Sequence, residues 1–155
     1  MISSELLRRY PFFGPFNEIY LRDVAMISEE IRVEKGKIVI EEGKKVEYLY
    51  LITSGGIDLS YKSEHEFHPK STKVLPVGEI SPGEIFGISA IIEPHVSTST
   101  ATASKDTSLV RINATKLHEL MKDCNEFGCI IMKQIAIIAM ERLNFTRIQL
   151  AAAWT

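Results

Sequence analysis

The chain has little cysteine. Of its 155 residues only Cys124 and Cys129 carry thiols, too few for a disulfide framework and in keeping with a reducing compartment. It has no excess of positive charge. Eighteen Lys and Arg against twenty Asp and Glu give a formal net charge of -2, so the basic footprint of a nucleic-acid-binding chain is missing. It has no long hydrophobic run either. The most apolar stretch, Ile130 to Met140, is broken by Lys133 and Gln134, too short and too polar for a membrane span. Residues 1–10 include Glu5, Arg8 and Arg9 and hold no apolar run ahead of a cleavage site, as a secretory signal would need. These absences lead to the expectation of a cytoplasmic protein, or the cytoplasmic part of a larger one, with no membrane insertion and no direct nucleic-acid binding by this chain.

Catalytic and metal-binding patterns are also scarce. His65 and His68 form an HxxH pair beside Glu64 and Glu66, but a metal site needs three or four converging ligands and a polar hairpin tip supplies two. The plainer reading is a solvated loop. No nucleophile–base pair stands at a usable spacing. The chain is therefore not read as an enzyme, and no catalytic residue, metal ligand or cofactor is assigned. Cys124 and Cys129 lie five apart on a helical stretch and do not share a face well; buried or half-buried thiols are expected.

What remains is the composition of an ordinary globular domain, 45% hydrophobic and 25% charged, long enough for one core. The expected organisation is a single domain over 1–155: helices in 3–28, a β-roll in 31–112 and C-terminal helices in 113–150. Ser3 or Ser4 caps a short helix that Pro11 ends, and Asn17 caps a second. From Ile31 the period changes to two, with Ile31 and Val33, then Ile38 and Ile40, alternating with polar residues. Leu49 to Ile52 is a β-prone apolar run closed by Ser54-Gly55-Gly56, which reads as a hairpin turn. Ile57, Leu59 and Tyr61 alternate on the return. Val74 to Ile80 is a further strand, which Pro76 marks as an edge or bulged one. Thr98 to Ala103 and Ser108 to Ile112 follow. The helical period returns at Asn113, and a long helix runs from Cys124 or Asn125 towards Gln149. Phe127, Ile131, Ile135, Ile138 and Arg142 share one side of it, while Ile130, Ile137 and Met140 fall off that stripe. A helix this broadly apolar buries two faces, one on the roll and one on a second copy.

Between Phe86 and Ala103 the chain reads FGISAIIEPHVSTSTATA. This segment resembles the phosphate-binding cassette of cyclic-nucleotide-binding domains, with Phe86, Gly87, Ala90 and Ile91 at the pattern's Phe, Gly and aliphatic positions. VEKGKIVIEEG from Val33, LYLITSGGIDL from Leu49 and SPGEIFG from Ser81 are similar to that family's successive strands and turns. The resemblance runs from about Asn17 to about Gln149. It implies a mainly β, double-stranded jelly-roll-like β-roll of about eight antiparallel strands, with N-terminal helices and a long C-terminal helix. In the family a Glu accepts from the ribose and an Arg pairs with the cyclic phosphate; here Ile88 and Ser97 stand at those positions.

The candidate pocket is therefore Phe86, Gly87, Ile88, Ser89, Ala90, Ser97, Thr98 and Ser99, with backbone donors but no charged ligand group. The resemblance implies a regulatory module that does not bind cAMP or cGMP in the usual way. Its output would be movement of the C-terminal helix, through a homodimer stripe of Phe127, Ile131, Ile135, Ile138 and Arg142. Two alternatives stand beside it: a receptor for a small anionic ligand at the cassette backbone, and the sensor domain of a transcription regulator without its DNA-binding unit. His95, beside Glu93 and Pro94 in the cassette loop, is either a surface histidine or a group that lends positive charge when protonated.

Overall fold

A computed structural model describes residues 1–65 and 68–155, the side chains of 63–73 excepted. The HxxH pair and its glutamates thus fall outside the described side chains. The chain forms two compact units, one of Met1–Ile27 with Thr115–Thr155 and one of Ser28–Ala114.

The second unit is the roll. Its strands are β1 (Ser28–Val33), β2 (Ile38–Ile40), β3 (Tyr48–Ser54), β4 (Ile57–His65), β5 (His68–Ile80), β6 (Ile85–Phe86), β7 (Thr100–Ala103) and β8 (Thr107–Asn113). They form two antiparallel four-stranded sheets, ordered β1-β8-β3-β6 and β2-β7-β4-β5. The period-two pattern places Val33, Ile40, Tyr50, Ile52, Ile57, Phe86, Ala101 and Leu109 in one apolar cluster, the product of one face of each strand turning inward. In β3 the intervening Leu49 and Leu51 are fully buried as well, which is why that strand reads as an unbroken apolar run. β5 is an edge strand, and Pro76 pairs with Ser60 where the β4–β5 register shifts. A residue without an N–H is tolerated there.

The Ser54-Gly55-Gly56 corner is not a hairpin. β3 and β4 lie in different sheets, so the chain crosses between layers at this point. Gly55 adopts φ 95°, and a Cβ there would lie 2.4 Å from Thr107 Oγ1. The Thr107 hydroxyl accepts from Gly56 N at 3.1 Å. Turn chemistry of this kind suits a hairpin and a sheet-to-sheet corner equally, and pairing decides between them.

In the helical unit, α1 (Ser4–Arg8) is capped by Ser3 and α2 (Glu18–Met26) by Asn17, whose side chain accepts from Tyr20 N. α3 spans Ala114–Asp123 and α4 spans Asn125–Ala153, 29 residues. At about 1.5 Å per residue that is a rod of roughly 43 Å, running beyond the Gln149 end that the sequence suggests. Phe12, Phe13 and Phe16 form an aromatic cluster in which Phe13 meets each of the other two edge-to-face, and Phe127 of α4 extends it at 5.7 Å from Phe16. Among the described residues no helix is long and apolar enough to cross a membrane.

Candidate functional site

The cassette starts where β6 pairs with β3, Phe86 opposite Tyr50. The Phe86 ring stacks on Tyr50 at 4.9 Å and 11°, and burial of both fixes the turn that follows. Gly87 takes φ 80° and ψ 30°. A Cβ there would meet Tyr48 O at 3.0 Å, Tyr50 Cδ2 at 3.1 Å and Ile40 Cδ1 at 3.2 Å, so the left-handed conformation and the close approach both call for glycine. Ile88–Ala90 then make a single 3-10 turn whose hydrogen bonds are Ala90 N to Gly87 O and Ile91 N to Ile88 O, each 3.0 Å. The N–H groups of Ile88 and Ser89 have no acceptor within the turn, as at any helical start. Ala90 is buried; Ile88 and Ser89 are half-buried.

His95, at φ 64°, ties the loop to this turn. Its Nδ1 lies 3.1 Å from the Ser89 carbonyl, which can only accept, so that nitrogen carries the proton. His95 O accepts from Val46 N at 2.7 Å. Ser97 is buried and held by its main chain, its N donating to Lys44 O and its O accepting from Gly43 N, both at 2.9 Å. Its hydroxyl donates to Ser99 O at 2.5 Å. The side chain at the family's arginine position is thus turned onto its own loop. Thr98 is exposed and Ser99 half-buried. β7 begins at Thr100, two residues after the Thr98 start that the sequence suggests, and Thr100 Oγ1 accepts from Glu42 N at 3.0 Å.

The structure adds residues that the sequence pattern does not single out. Tyr48 lies 6.1 Å from Tyr50, ring to ring, and its carbonyl backs Gly87. Arg111 of β8 places its guanidinium 4.4 Å from the Tyr48 ring centre and binds Glu29 of β1 at 2.5 Å. Burial raises the Tyr50 pKa above the ordinary phenol value, and the nearby Arg111 charge opposes the rise. The one signal for Arg111 in the sequence is a lone cation in the apolar run LVRIN.

The stripe expected to meet a second copy sits elsewhere. Phe127, Ile131 and Ile135 are buried to 3% exposure or less within the single chain. Phe127 packs on Phe16 and, at 5.1 Å, on Tyr20 of the same helical unit, and none of the three is exposed on the single chain. Ile138 and Arg142 are half-buried. Gln134 donates from Nε2 to Phe12 O at 2.9 Å. Of the two thiols, Cys129 is exposed and Cys124 half-buried. The Tyr20 hydroxyl, 3.5 Å from Cys124 Sγ, favours the thiolate and lowers the Cys124 pKa; the same contact raises that of Tyr20. Among the described residues no three metal-binding side chains converge.

A structure from Geobacter metallireducens, described as a putative cyclic nucleotide-binding protein, is 35% identical over 92% of this chain and 99% of that one, with a TM-score of 0.79. The sensor domain of the transcriptional regulator DNR from Pseudomonas aeruginosa is 15% identical over 91% of each chain, TM-score 0.70. The regulatory subunit of a cAMP-independent protein kinase A from Trypanosoma brucei is 16% identical over 96% of this chain and 49% of that one, TM-score 0.73. At those lower identities the likeness is one of fold. A search of curated proteins finds no match. The family profile described as the cyclic nucleotide-binding domain matches residues 30–124, more than half of the chain. With the roll, the cassette turn and the flanking helices in place, this chain belongs to the cyclic nucleotide-binding domain family.

Proposed function

We propose that the chain, as a single domain over 1–155, is a non-catalytic regulatory or sensor module whose cassette does not hold cAMP or cGMP at micromolar concentration. The observation that carries this reading is the pair of side chains at the charged positions. Ile88 offers no acceptor to a ribose hydroxyl, and Ser97 directs its hydroxyl at Ser99 O. Hydrogen bonds to charged groups contribute about 1.5–3 kcal/mol each, and losing one partner of a buried charge pair costs about 2–5 kcal/mol. At about 1.4 kcal/mol per tenfold, the two missing contacts correspond to roughly three orders of magnitude in affinity. A neighbour described as the regulatory subunit of a cAMP-independent kinase supports the idea that this fold regulates without that nucleotide.

Output is proposed to pass through α4, whose packing a bound ligand or partner biases between two states, and through self-association of that helix. A second reading, a receptor for a small anion at the cassette backbone, is favoured by the two N–H groups, of Ile88 and Ser89, that no carbonyl within the turn accepts. The sensor domain of a regulator is the comparable role in one structural neighbour.

Calorimetry with cAMP and cGMP tests the first reading. No heat is expected at micromolar nucleotide, and the double substitution Ile88→Glu with Ser97→Arg is expected to bring binding back. A micromolar Kd for the unaltered protein overturns it.

A further inference from the structure

Hydrogen bonding across the first sheet of the roll aligns four side chains in one row. Glu29 of β1 is opposite Arg111 of β8, Arg111 is opposite Tyr50 of β3, and Tyr50 is opposite Phe86 of β6. Residues directly opposite one another share a face of the sheet. Tyr50 and Phe86 belong to the apolar cluster inside the roll, so Arg111 and Glu29 stand on the inner face too. They lie towards its rim, with side chains 31% and 50% exposed. The same face carries Tyr48, whose ring supports the guanidinium at 4.4 Å and whose carbonyl backs the cassette glycine.

We propose that Arg111 is the anion-recognition residue of this pocket, supplying from strand β8 the guanidinium that the cassette lacks at Ser97, and that its ligand is a small organic anion bearing a carboxylate or a phosphate. The proposal rests on the reading of the cassette as lacking its own charged contacts. Glu29 marks the place of the anion. Its Oε1 accepts from both Arg111 Nε and Nη2 at 2.5 Å, one oxygen shared by the two donors of the guanidinium edge that can take the two oxygens of a carboxylate or phosphate side by side. The pair is poorly explained as a fastener of the sheet, because ion pairs this exposed contribute only about 0–1 kcal/mol. As a latch it has a function. Glu29 holds the guanidinium in its binding posture, stacked on Tyr48, until a ligand anion displaces the carboxylate. Arginine suits this role better than lysine, since its plane rests on the ring while its edge donates.

The test is calorimetry on the full chain with two probes, AMP for the phosphate class and succinate for the carboxylate class. At least one is expected to bind, and the one that binds names the class. Arg111→Ala should weaken that binding by at least about tenfold, the loss of a charge-assisted fork. Arg111→Lys, which keeps the charge, should weaken it as well. Glu29→Gln removes the competing carboxylate and should tighten binding several-fold, a gain that misfolding cannot produce. The proposal is overturned if neither probe binds, if Arg111→Ala leaves binding unchanged, or if Glu29→Gln fails to tighten it. Absence of probe binding sinks the Arg111 assignment alone. Micromolar cAMP binding that survives Arg111→Ala sinks this assignment and the reading of the cassette together.

Discussion

At the scale of the residue, Gly87 is the position on which the cassette turns. Its φ of 80° is left-handed, and the space a Cβ would occupy is bounded by the main-chain oxygen of Tyr48 at 3.0 Å, which cannot step aside as a side chain can. Gly87→Ala is therefore expected to destabilise the protein by about 1–3 kcal/mol, read as a fall in the denaturant midpoint with an unchanged slope. An unaltered midpoint would show that the turn tolerates a side chain. The turn of this candidate site is legible in the sequence, because Phe86, Gly87 and Ala90 are close along the chain and each has a local physical reason. The aromatic ring under Arg111 and the carboxylate beside it are not. Glu29, Tyr48 and Arg111 are far apart along the chain, and only strand register brings them into one row.

Elements were read well where their signal is periodic and less well where it depends on what they pair with. The capped starts of α1 and α2 and the alternating strands from Ile31 onward follow from side-chain spacing. The corner at Gly55 does not, because the same residues serve a hairpin and a crossing between sheets, and partners distant in sequence decide which forms. β6, two residues long, is too short to carry a period at all. In α4 the period groups Phe127, Ile131 and Ile135 on one face, but it assigns that face to a second copy, whereas all three are buried within the single chain. Phe127, Ile131 and Ile135 do form one stripe, and the phenylalanines of 12–16 and Tyr20 supply what Phe127 packs against. A core aromatic truncated to alanine costs about 3–5 kcal/mol. Phe127→Ala should show a loss of that size in chemical denaturation, whereas Ile137→Ala, half exposed at 49%, should cost under about 1 kcal/mol in the monomer. Equal losses would mean that the two sides of α4 do not differ in burial.

At the scale of the whole molecule, the last turns of α4 leave an apolar surface that the single chain does not cover. Ile137, Met140, Leu143, Ile148 and Leu150 are 49–70% exposed. At about 100° per residue, Ile137, Met140 and Leu143 project to the side of the helix away from Phe127, Ile131 and Ile135. A helix with apolar residues on both sides loses free energy to water until its second side is covered. For the self-association proposed above, we place a second copy on this side, because two such helices would present the same residues to each other across a two-fold axis. The self-association expected of the stripe at Phe127 is thus better placed on its opposite side. Sedimentation should show a dimer that Met140→Glu converts to monomer, since the charge would be buried unpaired against its symmetry mate at a cost of several kcal/mol. Phe145→Glu, on the side away from Met140, should leave the association constant within about threefold, because it adds its charge outside the covered surface. Equal dissociation by both would move the contact off this face, and a strict monomer at high concentration would leave the exposed stripe to some other partner.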